Sequence, residues 1–215
     1  MGFTLPPPLQ ADDTTAAVGY LHEYFTRTDA DGHCYYTGAR FERLGGGGDR
    51  EQVADVITAE DLAAVTLLSV AVPPRTALQI LESESGAFSA LLMKLPRNLD
   101  LVDADPREVA SQEWAGHQLW KGLKALPGIG WVTAGKVVAR KRPRLIPVYD
   151  KVVRHQVGAP KSFWPSLREA LATDGHALHH KLLDIREQAD VGEDISALRV
   201  FDVITWMYGK AQSSR

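Results

Sequence analysis

Short apolar runs at helical spacing, each closed by proline or glycine, are the feature that most constrains the fold of this sequence. The segment Thr58-Ala59-Glu60-Asp61 begins one such run with the Ser/Thr-x-x-acid pattern of a capped helix start. Pro73-Pro74 ends it. The last predicted helix, residues 195–208, is apolar on most sides, which is typical of a central helix. Further helices are predicted near residues 14–25, 75–82, 88–94, 106–126, 166–172 and 176–189. We therefore predict a mainly α fold, built as a compact helical body.

The N-terminal part of the chain has a different character. The segment from Tyr35 to Leu44 carries aromatic residues with weak alternation, which favours one or two short strands, and Gly45 to Gly48 then interrupt regular structure. We predict an N-terminal segment over residues 1–57, with one helix and short strands or loops, and a helical domain over residues 58–215. The fold class thus includes a small β or irregular element near the N-terminus.

Composition excludes several classes of protein. The single cysteine, Cys34, excludes an internal disulfide framework and any iron-sulfur or zinc site built on several thiolates. His176 and His180 are spaced as in a metalloprotease motif but lack its glutamate, so we predict no metal and no cofactor. We find no signal-peptide pattern and no apolar run of the roughly 20 residues that a membrane span needs. We expect a cytoplasmic monomer that has no membrane partner.

Positive charge is concentrated in one part of the sequence. Between Lys121 and Arg154 there are nine Lys and Arg residues and one acidic residue, Asp150, although the formal net charge of the chain is −3. Such segregation favours one face that binds a polyanion. A basic helix face that is merely solvated explains the same pattern, and charge alone does not separate the two interpretations.

A glycine turn lies inside this basic region, in the stretch from Leu126 to Lys141. The spacing predicts a helix that ends at Leu126, a tight turn at Gly128 and Gly130, and a new helix from about Trp131. The free N–H groups at the start of the new helix would suit a phosphate. An ordinary helical hairpin with a glycine turn is the alternative. The predicted contacts with a DNA backbone are Pro127, Gly128, Ile129, Gly130, Trp131, Thr133, Lys136, Arg140 and Lys141.

This stretch resembles the helix-hairpin-helix DNA glycosylases, which include endonuclease III and the adenine-mismatch glycosylase. The hairpin of that family reads L-P-G-[VI]-G-x-x-T-A, and its catalytic aspartate follows the first leucine by 24 residues, a position that Asp150 occupies here after Ile146-Pro147-Val148-Tyr149. The resemblance covers roughly residues 120–157, with a weaker match at residues 64–69. It places the helix-hairpin-helix at about residues 112–141 and the aspartate segment at 146–157. The whole chain is expected to fall in a family of unknown function within or near this superfamily.

The resemblance implies a DNA glycosylase that hydrolyses the N-glycosidic bond of a damaged or modified base flipped out of duplex DNA. Asp150 would stabilise the cationic sugar of the transition state. Asp is also a favoured N-cap, so a purely structural Asp150 stays open. Val132 stands where bifunctional members carry a Schiff-base lysine, which implies a monofunctional enzyme unless Lys136 or Lys151 takes that role. The alternative function is a non-catalytic helix-hairpin-helix DNA-binding or repair accessory protein.

Aromatic residues are candidates for a base pocket. Tyr149 is the first choice because it precedes Asp150, and Trp131 is the second because it lies beside the hairpin turn. Tyr35, Tyr36 and the pair Phe163-Trp164 are further candidates. For the tryptophans and Phe163, ordinary core packing is the competing interpretation.

Overall fold

Helices account for most of the chain in the computed structural model, which describes residues 2–213. Eleven α-helices and no β-strand lie within these residues, so the predicted mainly α class is confirmed. The helices are α1 (Pro7–Gln10), α2 (Thr15–Thr26), α3 (Ala59–Thr66), α4 (Pro74–Leu78), α5 (Ser85–Leu92), α6 (Pro106–Ala110), α7 (Ala115–Ala125), α8 (Trp131–Lys141), α9 (Lys151–Gln156), α10 (Phe163–Gln188) and α11 (Ala197–Ser213). The backbone of α10 is non-helical at residues 173–176, which divides it into two helical parts as the sequence predicts.

The start of α3 follows the predicted capping pattern. The backbone N–H of Asp61 donates to the Thr58 hydroxyl at 3.3 Å, and the Asp61 carboxylate accepts from the backbone N–H of Thr58 at 2.9 Å. These two bonds satisfy N–H groups that the first turn of a helix otherwise leaves without partners. Pro74 then opens α4, and a single π-helical turn over Gln79–Ser83 leads towards α5.

Two predictions about local structure were wrong. The helix predicted over residues 106–126 is broken between α6 and α7, where the Ser111 hydroxyl accepts from the backbone N–H of Glu113 and so competes with the helical ladder. The strands predicted before Gly45 do not form. The segment instead contains a 3₁₀ turn over Thr37–Arg40 and one isolated antiparallel bridge between Thr28 and Cys34. Only the irregular part of the predicted N-terminal element is therefore present.

The C-terminal helix α11 lies at the centre of the fold, as its apolar sequence predicts. All residues from Ala197 to Thr205 are buried, and α11 packs against α2, α9 and α10. The helix α8 packs against α7 on one side and α3 on the other. Buried side chains from Leu9 to Met207 form one hydrophobic cluster, so the N-terminal segment packs on the helical part. Among residues 2–213, no helix combines the length and the apolar character that a membrane crossing requires.

Candidate functional site

The turn between α7 and α8 leaves its backbone exposed. Gly128 has φ +78°, a conformation that favours glycine, and the N–H of Ile129 closes the turn on the carbonyl of Leu126 at 3.2 Å. Gly130 is the N-cap of α8 and offers no side chain to its first turn. Of the predicted hairpin contacts, Pro127, Gly128 and Gly130 are exposed, Trp131 is half-buried, and Ile129 and Thr133 are buried. The accessible groups are therefore mostly main-chain groups.

Next to this turn, a cavity of about 580 Å³ opens between α8, α9 and α11. We call it the Asp150 cavity. From α8 it receives Val132 and Lys136, which are four residues apart and so share one face of the helix. Its aromatic wall contains Tyr24, Tyr36 and Trp206, with the first two rings stacked at a centroid distance of 5.1 Å. Tyr35 also lines it.

Asp150 is held at the N-terminus of α9 by hydrogen bonds from the first turn of that helix. Its Oδ1 accepts hydrogen bonds from the backbone N–H groups of Val152 and Val153 at 2.9 and 3.0 Å, which makes it the N-cap. Its Oδ2 lies 3.9 Å from Lys136 Nζ, and 17% of the side chain is exposed. The backbone thus fixes one carboxylate oxygen, and the other faces the lysine at the cavity. The structural and the chemical interpretations of Asp150 are compatible in this geometry.

Lys136 is almost fully enclosed. Its ammonium group donates to the carbonyl of Leu68 at 2.7 Å. Burial lowers the pKa of Lys136, and the neighbouring carboxylate of Asp150 acts in the opposite direction. Lys136 therefore belongs to the cavity wall and does not lie on an outer face of α8.

A second carboxyl group in the cavity, Asp202, has no counterpart in the sequence prediction. It lies on α11 and accepts a hydrogen bond from Arg199, whose Nε is also 2.8 Å from Glu42 Oε1. Two buried carboxyl groups therefore share one guanidinium. Burial raises the pKa of Asp202 to about 7, Arg199 opposes the shift, and Asp150 adds to it. An Arg and an Asp three residues apart in an otherwise apolar helix were the signal in the sequence.

Asp202→Asn should flatten the pH dependence of folding stability. Because the pKa of Asp202 is about 7 in the folded protein and 3.8 for the free side chain, the folded state holds the proton more tightly than the unfolded state. The stability that this group contributes is complete below about pH 4 and is lost as the pH rises through about 7, by up to about 1.4 kcal/mol per pH unit. Urea unfolding at about pH 5 and about pH 7 would measure the slope. Equal slopes in the wild type and the variant would contradict the prediction.

The predicted DNA contacts of the basic residues on α8 require a correction. Lys136, Arg140 and Lys141 are only 4%, 2% and 0% exposed, so they do not reach an external DNA backbone as the sequence predicts. Arg140 Nε and Lys141 Nζ lie 3.2 and 2.9 Å from the carboxylate of Asp61, which is itself buried. Their charge stabilises the interior and does not form a surface for a polyanion. Arg142 is buried as well and pairs with Asp55.

The glycine run explains how these cations are enclosed. The Arg140 guanidinium donates to the carbonyls of Phe41, Glu42 and Leu44, and Lys141 Nζ donates to those of Gly48 and Val53. A Cβ at Gly48 would lie 2.5 Å from the carbonyl oxygen of Arg140. Glycine is needed there because two backbones approach closely.

A second cavity, of about 440 Å³, lies against an adjacent face of α8, and we call it the aromatic cavity. Trp131 and Gly135 of α8 line it, whereas Val132 and Lys136 line the Asp150 cavity. Between α8 and α9 the chain alternates in the same way. Pro147 and Tyr149 face the aromatic cavity, and Val148 and Asp150 face the other. Tyr149 and Trp131 are therefore not part of a base pocket around Asp150, which corrects that prediction.

One loop carries a group of potential metal ligands. The side chains of Asp29, Asp31 and His33 are exposed, and their ligand atoms lie within 4.8 Å of one another. The Asp29 carboxylate accepts from the backbone N–H groups of Asp31 and His33 at 3.0 and 2.9 Å, as in an ordinary turn. The loop geometry accounts for this cluster without an ion.

Comparison with known proteins gives one match. The model of a family described as a family of unknown function (DUF6308) matches residues 17–209, a span that includes the hairpin turn, Asp150 and the aromatic cavity. No curated protein and no solved structure matches the chain.

Proposed function

The chain belongs to this family of unknown function, and we propose that it is a monofunctional DNA glycosylase that acts on a flipped-out base. One observation carries the proposal. A carboxylate held by two backbone N–H groups borders a cavity with an aromatic wall, beside the glycine turn between α7 and α8. The cavity volume of about 580 Å³ is in the range of small-ligand sites. The resemblance at residues 120–157 supports the same assignment.

The chemistry requires an anion near the sugar. Cleavage of the bond between C1′ and the base nitrogen leaves an oxocarbenium-like sugar, which the Asp150 carboxylate stabilises. A water molecule then forms the new C1′–O bond and gives up a proton, for which Asp150 is the acceptor. The departing base takes up a proton. Asp202 is suited to donate it because its pKa of about 7 leaves about half of it protonated at neutral pH.

Strand cleavage would accompany base release only if an amine of the site, such as that of Lys136, attacked the sugar. Val132 cannot form a Schiff base, but Lys136 lies one helical turn further along α8 and borders the same cavity. Its ammonium group is engaged by Leu68 and Asp150, which supports the water route. Borohydride trapping of a covalent complex between enzyme and DNA would instead identify an amine nucleophile.

DNA contact would rest on the main chain. Because Arg140 and Lys141 are buried, the groups left for phosphates are the N–H groups at the start of α8 together with exposed cations such as Lys151. Few charge contacts give a shallow salt dependence of binding. The hairpin turn would thus position the duplex, while the Asp150 cavity receives the base.

The two glycines of the turn should respond differently to alanine. Gly128→Ala places a Cβ 2.5 Å from Pro73 Cγ at φ +78°, so we expect a loss of about 1–3 kcal/mol in the free energy of unfolding. Gly130→Ala meets no atom within 4 Å and has φ −83°, so its stability should change by less than about 1 kcal/mol. Its duplex binding should nevertheless weaken several-fold, because the methyl group would stand where a phosphate approaches. Urea unfolding and fluorescence anisotropy measure the two effects, and unchanged DNA affinity of Gly130→Ala would exclude the turn as a contact.

The proposal is tested with a panel of duplexes that each carry one deaminated, oxidised, alkylated, mispaired or hypermodified base. We expect alkali-labile abasic sites on at least one duplex. Salt-dependent DNA binding without abasic product on any duplex would favour the non-catalytic DNA-binding module. If the protein neither binds DNA nor forms abasic sites, the glycosylase and the DNA-binding module are both rejected. The hairpin would then be a structural element only.

A further inference from the structure

We propose that the aromatic cavity is a binding site for a phosphorylated nucleotide, separate from the Asp150 cavity. This inference does not depend on the glycosylase proposal, because no residue lines both cavities. Its volume of about 440 Å³ lies within the range of small-ligand sites.

The rings of the cavity offer a surface for a flat ligand. Tyr149 and Phe163 stack on each other at 3.8 Å, and Trp164 stacks on His117 at 4.7 Å. Trp120 and Trp131 are half-buried and keep part of their indole surface exposed. The Trp120 indole N–H donates to the carbonyl of Trp131 at 3.0 Å, which fixes the orientation of its ring. The exposed part of either indole offers a face on which a base can stack in a sequence-tolerant manner.

The charges of the cavity select an anion. Four exposed cations line it, namely Lys121, Lys124, Arg154 and Lys161. Within residues 2–213, no Asp or Glu lines this cavity. The chain as a whole has a formal charge of −3, so the cavity is a cationic place on an acidic protein. Lys124 Nζ also lies 4.8 Å above the Trp120 ring, so ring and charge are adjacent.

A nucleotide matches both the aromatic rings and the cationic side chains of this cavity. Its base supplies the flat ring and its phosphate supplies the negative charge, whereas inorganic phosphate lacks the ring and an uncharged aromatic compound lacks the charge. The nucleotide can come from a free mononucleotide or from a nucleic-acid strand. Both sources present the same chemistry to the cavity.

The test uses tryptophan fluorescence, because three of the five tryptophans line this cavity. The background is Trp206→Phe, which removes the tryptophan of the Asp150 cavity. The probes are AMP, adenosine and a short single-stranded oligoadenylate. We expect quenching by AMP or by the strand, with adenosine at least about tenfold weaker. Quenching by AMP identifies a free nucleotide as sufficient, and quenching by the strand alone identifies a nucleotide within a chain.

The decisive variant is Lys121→Ala/Lys124→Ala, with Lys94→Ala as its matched control. All three lysines are exposed, and Lys94 does not line this cavity. The double variant should weaken binding by about tenfold, and the control should bind as the wild type does. Thermal unfolding would confirm that both variants are folded. Absence of quenching by all three probes, or equal affinity in the double variant and the control, would overturn the proposal.

Discussion

Asp150→Asn should reduce the rate of base release by about 10³-fold. The amide keeps an oxygen that can accept the hydrogen bonds from Val152 and Val153, so the start of α9 should be preserved. It removes the negative charge beside Lys136 and the Asp150 cavity. Single-turnover formation of abasic sites, on the substrate that the panel identifies, measures the effect. DNA binding by the variant should remain close to that of the wild type.

The chain offers a matched control for this substitution in Asp105. Asp105 caps α6 in the same manner, accepting from the backbone N–H of Arg107 at 2.7 Å, but it is exposed and lines neither cavity. Asp105→Asn should therefore retain full activity. Similar small losses in both variants would mean that Asp150 acts only as a helix cap.

Asp61→Ala should cost about 3–5 kcal/mol of folding free energy, because it leaves two buried cations without their shared anion. Arg140 and Lys141 both pair with this carboxylate, and all three residues are at most 2% exposed. The substitution also removes half of the capping box of α3. Urea unfolding measures the loss. Asp61→Asn keeps an acceptor for the cap, so it should be the milder variant and remains measurable if the alanine variant does not fold.

An exposed ion pair provides the comparison for Asp61. Glu23 of α2 and its C-cap residue Arg27 lie 2.8 Å apart, but their side chains are 42% and 46% exposed. Glu23→Gln should change stability by less than about 1 kcal/mol. A loss at Asp61 no larger than this would show that the buried cations do not depend on its charge.

Local rules predicted the parts of the fold that local interactions determine. The capping pattern at Thr58 marked the start of α3, and the apolar periodicity of residues 195–208 marked the central helix α11. The glycine turn between α7 and α8 lies where the spacing predicts it, with Gly128 at positive φ. Asp150 occupies an N-cap, which its residue type favours. Each of these features depends on contacts within a few residues.

Features that depend on distant contacts were not predictable in this way. The sequence shows that Arg140 and Lys141 are basic, but their burial depends on Asp61, about 80 residues away, and on backbone carbonyls between residues 41 and 53. Asp202 is part of the site because the fold brings α11 close to Asp150 and Lys136. Tyr149 was assigned to the wrong cavity because successive side chains of the segment before α9 point to opposite sides. That alternation was readable in the sequence, but the existence of a second cavity was not.

The helix α8 borders both cavities, and its C-terminal end is held by the buried carboxylate of Asp61 together with backbone carbonyls. Asp61 pairs with Arg140 and Lys141 at that end but lines neither cavity. A substitution that weakens these ion pairs would therefore change the shape of both cavities at a distance from the altered residue. Substitutions at positions 131 and 132 would instead reshape one cavity each, because Trp131 lines the aromatic cavity and Val132 lines the Asp150 cavity.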